Sequence, residues 1–236
     1  MEYLLPYRQW REKVGIKYLD EKALASPSIA FGNATREIMR MADIVEEMLS
    51  QVIEALRTND VHYIEKIKNR DNQVDLLERE IRLYLVKISR KELTDRQADR
   101  EAYLLTVVNN LENIGDVVVK NLMELAAKRL RKGLVFSEEG WKEIVEFHRR
   151  VMENYRLATI AFATGDVELA QKVLQEDQAL GELQSRLHLA HIERLQRGLK
   201  ESIETSSVHL DVINNLRWID TYIAGCARDV VEGEAG

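Results

Sequence analysis

The sequence predicts an all-α protein built as two tandem antiparallel three-helix bundles, and three observations lead there. Apolar residues recur at helical spacing through most of the chain. Among 236 residues only two are proline and eleven glycine, while 45% are hydrophobic and 31% charged, the balance of helices with one buried and one solvated face. The second half also repeats the first. Asp60-Val61 is answered by Asp166-Val167, Asp71 by Asp177 and Leu93 by Leu199, all 106 positions on, and Asn109-Asn110-Leu111 by Asn214-Asn215-Leu216, 105 positions on. One residue is therefore lost between the turn after the second helix and the middle of the third. Chance matches would not hold register over such a length. The expected organisation is an arm at 1–27, a first bundle at 28–133 and a second at 134–232.

Residues 1 to 25 have no sustained period and mix Tyr3, Leu4, Leu5, Tyr7 and Trp10 with Arg8, Arg11, Lys13 and Lys17. Such a tether can lie at a lipid headgroup surface, where anionic lipid contributes ~1 kcal/mol per cationic residue; its aromatics can equally pack on the first bundle. Ser26-Pro27 supplies an N-cap and a first-turn proline, and after a weak point at Gly32 the pattern runs through Ile38, Met41, Val45, Met48, Val52 and Leu56. Asn59-Asp60 starts the second helix, whose stripe is Ile64, Ile67, Val74, Leu77, Ile81, Leu85 and Ile88. Thr94 with Gln97 has capping-box spacing. From there one seam, Leu104, Val108, Leu111, Gly115, Val118, Leu122 and Leu125, predicts an unbroken helix from Asp95 to Lys132, ~57 Å long at 1.5 Å per residue. Gly133 closes it.

In the second half, Ser137 with Glu138 and Glu139 opens the fourth helix, a hydroxyl cap and acidic first turn suiting the positive end of the dipole. Gly165-Asp166 is a stop followed by a start, Gly198 stops the fifth helix after Arg197, and the sixth runs from Glu201 to Val231. Short turns make neighbouring helices antiparallel.

The net charge of −6 offers no basic field for a polyphosphate backbone, so nucleic acid is not an expected partner. A single cysteine, Cys226, excludes an intrachain disulfide and a thiolate metal cluster. No apolar run approaches the ~20 residues of a membrane helix. The expectation is a soluble, cytoplasmic protein. P-loop, G-x-G-x-x-G, G-x-S-x-G and H-E-x-x-H motifs are all missing, and no catalytic constellation stands out.

Chemistry is concentrated in carboxylates. Asp71 and Asp75 are four apart on the second helix, as are Glu112 and Asp116 on the third, so each pair shares a helix face. Asp71 falls on the apolar seam, where an uncompensated charge costs several kcal/mol. If the two helices pack antiparallel, all four converge. Hard oxygens without thiolates suit Fe, Mn, Mg or Ca; the other reading is a set of carboxylates paired with Lys or Arg, or wetted at the bundle edge. In the second half only Asp177 persists, because Gly181, Arg217 and Thr221 stand at the other three places. No equivalent site is expected there, and Arg217 is placed to salt-bridge Asp177. The histidines His62, His148, His188, His191 and His209 are scattered and read as surface or packing residues.

The motifs Asp71-x-x-x-Asp75 and Leu111-Glu112-Asn113-Ile114-Gly115-Asp116, set in two tandem three-helix bundles, resemble the PhoU family of phosphate-signalling proteins. Lys17-Tyr18-Leu19-Asp20, the run from Gly133 to Trp141, and the run from Glu201 to Ser207 look like the cytoplasmic PhoU-like region that follows the membrane part of bacterial sodium/phosphate cotransporters. The resemblance covers residues 17 to 232. It implies a noncatalytic regulator of phosphate homeostasis that restrains phosphate uptake and docks on a phosphate transporter membrane domain or a phosphate-signalling partner. It also implies metal binding, polynuclear iron among the options, at Asp71, Asp75, Glu112 and Asp116. The membrane helices preceding the region in the cotransporter are not in these residues, which leaves a separately encoded protein or a domain beginning within the tether, held near the inner membrane face by the arm. Alternatives are a structural adaptor without metal, a homodimer among its states, and a ferritin-like di-metal oxidoreductase, for which the Glu-x-x-His pairs are missing.

Overall fold

The computed structural model describes residues 15–58 and 60–232. Tyr3, Leu4, Leu5, Tyr7, Arg8, Trp10, Arg11 and Lys13 of the arm, Asn59 at the expected start of the second helix, and residues 233–236 lie outside the described residues. A 3-10 turn (Glu21–Ala25) leads into α1 (Pro27–Arg57) and α2 (Val61–Ser89). The third rod is α3 (Asp95–Asp116), a π-helical turn (Val117–Leu122) and α4 (Met123–Lys132); α5 (Glu138–Thr164), α6 (Val167–Gln196) and α7 (Lys200–Glu232) form the second bundle. All regular structure among the described residues is helical, and no described helix is long and apolar enough to cross a membrane.

The boundaries follow local chemistry. Asp60 accepts from the His62 N–H (2.9 Å) and Asp166 from the Leu169 N–H (3.0 Å), the same capping residue one repeat apart reaching the second helical N–H in one half and the third in the other. Gln97 accepts from the Thr94 N–H at 3.0 Å and Ser137 from the Gly140 N–H at 3.2 Å. Gly133, Gly165 and Gly198 end their helices with φ of 61°, 69° and 74°, a region in which a Cβ is strained. Two expectations need correction. Ser26 makes no side-chain cap bond, so Pro27 alone marks the start of α1. The third rod is not uniformly α: the Met123 N–H reaches back five residues to the Val118 carbonyl, widening one turn where the β-branched Val117, Val118 and Val119 crowd the helix. Its backbone stays right-handed throughout, so the rod continues.

The bundles share one core, in which Val45, Val52, Leu77 and Leu104 of the first half are continuous with Phe147, Val151, Val212 and Ile219 of the second. They meet where α1 crosses α5 and α3 crosses α7. At the first crossing Tyr155 donates to the Ala42 carbonyl and His148 Nε2 to the Leu49 carbonyl, each at 2.8 Å. His148 lies 106 positions after Ala42 and Tyr155 106 after Leu49, so the two bonds are related by the pseudo-two-fold of the duplication. Burial lowers the His148 pKa, keeping the ring neutral with its proton on Nε2. At the second crossing Asn121 donates to Asn215 at 2.6 Å, and Asn110 packs so tightly on Gly225 that a Cβ there would lie 2.8 Å from its Nδ2. Thus α2 and α6 are left on the outer sides.

Candidate functional site

The outer seam between α2 and α3 carries the predicted carboxylates. Gly115 is what brings the two helices together: a Cβ there would stand 3.2 Å from Asp71 Oδ1, 3.7 Å from Val74 and 3.8 Å from Met48. Asp71 is consequently half-buried, and burial, with Asp75 and Asp116 adding to it, pushes its pKa up to about 6. Burial likewise raises the pKa of Asp75, reinforced chiefly by Asp116, and that of Glu112, reinforced by Asp116 and Glu78. The four side chains thus share one electrostatic field, as their spacing predicted. Lys120 opposes it, with its Nζ 2.5 Å from Asp116 Oδ2. The oxygen donors suit a hard cation, but their placement does not amount to a ready coordination shell: among the described residues no three His, Cys, Asp or Glu are grouped so as to hold a metal ion.

The corresponding seam between α6 and α7 is closed by charge pairing. Arg217 Nη1 lies 2.6 Å from Asp177 Oδ1, 3.1 Å from Asp220 Oδ2 and 3.2 Å from Thr221 Oγ1. Its Nη2 would sit 3.6 Å from a Cβ on Gly181, so the guanidinium lies across that glycine. Arg217 does what its spacing suggested.

Asp220 was not singled out as a site residue. It is wholly buried, accepts from Asn154 Nδ2 at 2.8 Å, and has its pKa raised to about 7 by burial and by Asp177. The register of the repeat contains the signal. Asp220 occupies the place of Gly115 and Asn154 that of Met48, so a polar pair in the second half replaces a glycine and a methionine in the first. A second polar group unmarked by any motif lies farther along α5, α6 and α7. Glu143 accepts both Arg194 Nη groups at 2.6 Å, His209 Nε2 stands 3.0 Å away, and the His191 and His209 rings stack at 4.9 Å. His148, His191 and His209 are all buried packing residues.

Comparison with known proteins follows the same two-part division. The PhoU domain model matches residues 38–124 and again 144–230. A Salmonella typhimurium protein named "Putative inorganic phosphate export protein YjbB" is 30% identical over 216 residues, 92% of this chain but 40% of its own; the chain therefore spans well under half the length of that relative. "Phosphate-specific transport system accessory protein PhoU homolog 1" of Thermotoga maritima is 26% identical over 207 residues, 85% of each chain. The crystal structure of PhoU from Pseudomonas aeruginosa superposes with a TM-score of 0.79 at 21% identity, covering 87% of this chain and 97% of that one.

Proposed function

This chain belongs to the PhoU family, and from that membership we propose that it is a noncatalytic regulatory module of phosphate transport, docking on a phosphate transporter or its signalling partner at the cytoplasmic side of the membrane. The names of its relatives, one a phosphate export protein and one a phosphate transport accessory protein, support the process. The observation that carries the site is the asymmetry of the duplication. One outer seam has its charges closed internally by Arg217, while the other keeps four carboxylates, of which Asp71, Asp75 and Glu112 have their proton affinity raised by burial and by their neighbours, answered by an exposed lysine side chain. A surface of that kind accepts an external cation, whether the basic side chain of a docking partner or a hard metal ion.

The test is Glu112→Ala combined with Asp116→Ala in cells, reading phosphate flux. Altered flux with helicity retained is the expected outcome; flux like the wild type counts against a regulatory role for this seam. Metal binding by Asp71, Asp75, Glu112 and Asp116 is the finer part of the proposal. Elemental analysis of protein purified without chelator or metal-affinity resin should find iron, manganese or another hard ion that the double variant loses. The adaptor reading is favoured instead by the Lys120 to Asp116 pair, and it gains if neither protein carries metal.

A further inference from the structure

In the first bundle, the groove between α1 and the C-terminal part of α2 is filled by the chain itself. The wholly buried Glu37 accepts the main-chain N–H groups of Lys17 (2.9 Å) and Tyr18 (2.7 Å). The Arg36 guanidinium lies 4.2 Å above the Tyr18 ring, Tyr84 donates to the Asp20 carbonyl at 2.8 Å, and Lys87 meets Glu21 at 2.5 Å. Residues 15–25 are thereby strapped into the groove.

The duplication builds this groove a second time between α5 and α6. Counting 106 positions on, Glu37 becomes Glu143, Asn33 becomes Glu139, Tyr84 becomes Ala190, Lys87 becomes Glu193 and Ile88 becomes Arg194. The structure has an open groove of ≈ 210 Å³ there, lined by Glu139, Ala190, Glu193, Arg194, Arg197 and Leu199, several times the ≈ 30 Å³ that one water occupies. Among the described residues, no strap fills it from within. The connection at 133–137 is too short, and Leu134 and Phe136 in it pack on the core.

The differences from the first groove describe an occupant. Ala190 leaves the space that the buried Tyr84 ring fills in the first half. Glu193 reverses the charge of Lys87, so the acidic partner that Glu21 provides must here be basic. Arg194 is neutralised by Glu143 outside the lining, and Arg197 makes only a long, exposed 3.9 Å pair with Glu193, so Glu139 and Glu193 against Arg197 leave the lining with one negative charge in excess. Arg194 is more than nine-tenths buried and lines the groove as half of an ion pair with Glu143, not as a free cation.

We propose that this groove docks an extended segment of a partner protein, carrying a large aromatic or apolar side chain over Ala190 and a Lys or Arg against Glu139 and Glu193. The groove and an ion pair at its edge are shared with the first bundle, with that charge inverted, whereas the main-chain anchor on Glu37 has no counterpart because Glu143 is taken by Arg194. Direct binding tests it independently of phosphate transport and of the acidic seam.

The probe is a fluorescent peptide of residues 15–25 with Glu21→Lys, titrated against the full chain at low salt and followed by anisotropy. Saturable binding is expected, weakened about tenfold or more by Ala190→Tyr, which fills the groove, and by Glu193→Lys, which inverts it. The unmodified peptide should in turn prefer the Glu193→Lys protein. Circular dichroism melts establish that each variant is folded, and the two act by different means, so loss of one still leaves the test. Absence of saturable binding to the wild type overturns the proposal, as does an affinity that neither substitution changes.

Discussion

Asp71 is held half inside the seam between α2 and α3, and its proton affinity follows from where Gly115 lets it sit. Its pKa stands near 6 in the folded protein against an ordinary 3.8, so the folded state binds its proton more tightly than the unfolded chain does. The resulting stability is fully present below pH ~4 and is lost as the pH rises through 6. Asp220, raised to about 7, acts with the same sign and extends the loss toward neutrality. With chelator present, Asp71→Asn should melt higher than the wild type at pH 8 and lose that advantage at pH 4. Thermal melts at the two pH values check this, and equal shifts at both would mean that the carboxyl is not charge-stressed.

At the scale of elements, the duplication was readable because caps and seams are local. Asp60 and Asp166 start the second helix of each half as the same side-chain cap, one on the second and one on the third helical N–H, and the apolar stripe of α2 is buried as its period required. The pairing of α1 with α5 was not readable, since it depends on helix carbonyls whose sequence is silent. Ala42 and Leu49 reveal nothing of the Tyr155 and His148 groups that bond to them. Tyr155→Phe removes one of these bonds while keeping the ring in place and should cost about 1 kcal/mol, seen as a lower denaturant midpoint at unchanged slope. No change in midpoint would make the hydroxyl contact energetically idle. The π-helical turn after Asp116 was likewise missed by the period count: it adds a residue to one turn, so beyond it burial falls on Met123, Ala126 and Arg129, and the expected Leu125 is only partly buried.

At the scale of the whole molecule, the two PhoU repeats are covalently tandem but physically joined through a single core. Neither bundle buries its inner face alone, so the chain should unfold in one cooperative calorimetric transition. Two resolved peaks would show that the halves are independent. The joint core also leaves α2 and α6 on the outside, each with one seam and one groove available for function. Duplication supplied two of each, and later substitution made them differ: Arg217 closes one seam, and the chain's own strap closes one groove.

Helical periodicity, caps, the repeat and its register were decided by the sequence alone, because each rests on interactions between residues a few positions apart or on identity across a constant offset. The same local logic grouped Asp71 with Asp75 and Glu112 with Asp116, and set Arg217 opposite Asp177. Tertiary structure decided how deeply Asp71 sits beside Gly115 and which charges face it, since placement across a seam depends on how closely two helices approach. It also decided the burial of Asp220 and the presence of an open groove over Ala190. These depend on which surfaces the folded halves cover, and a strap that among the described residues fills one groove and leaves the other open shows itself only when the chain is closed on itself.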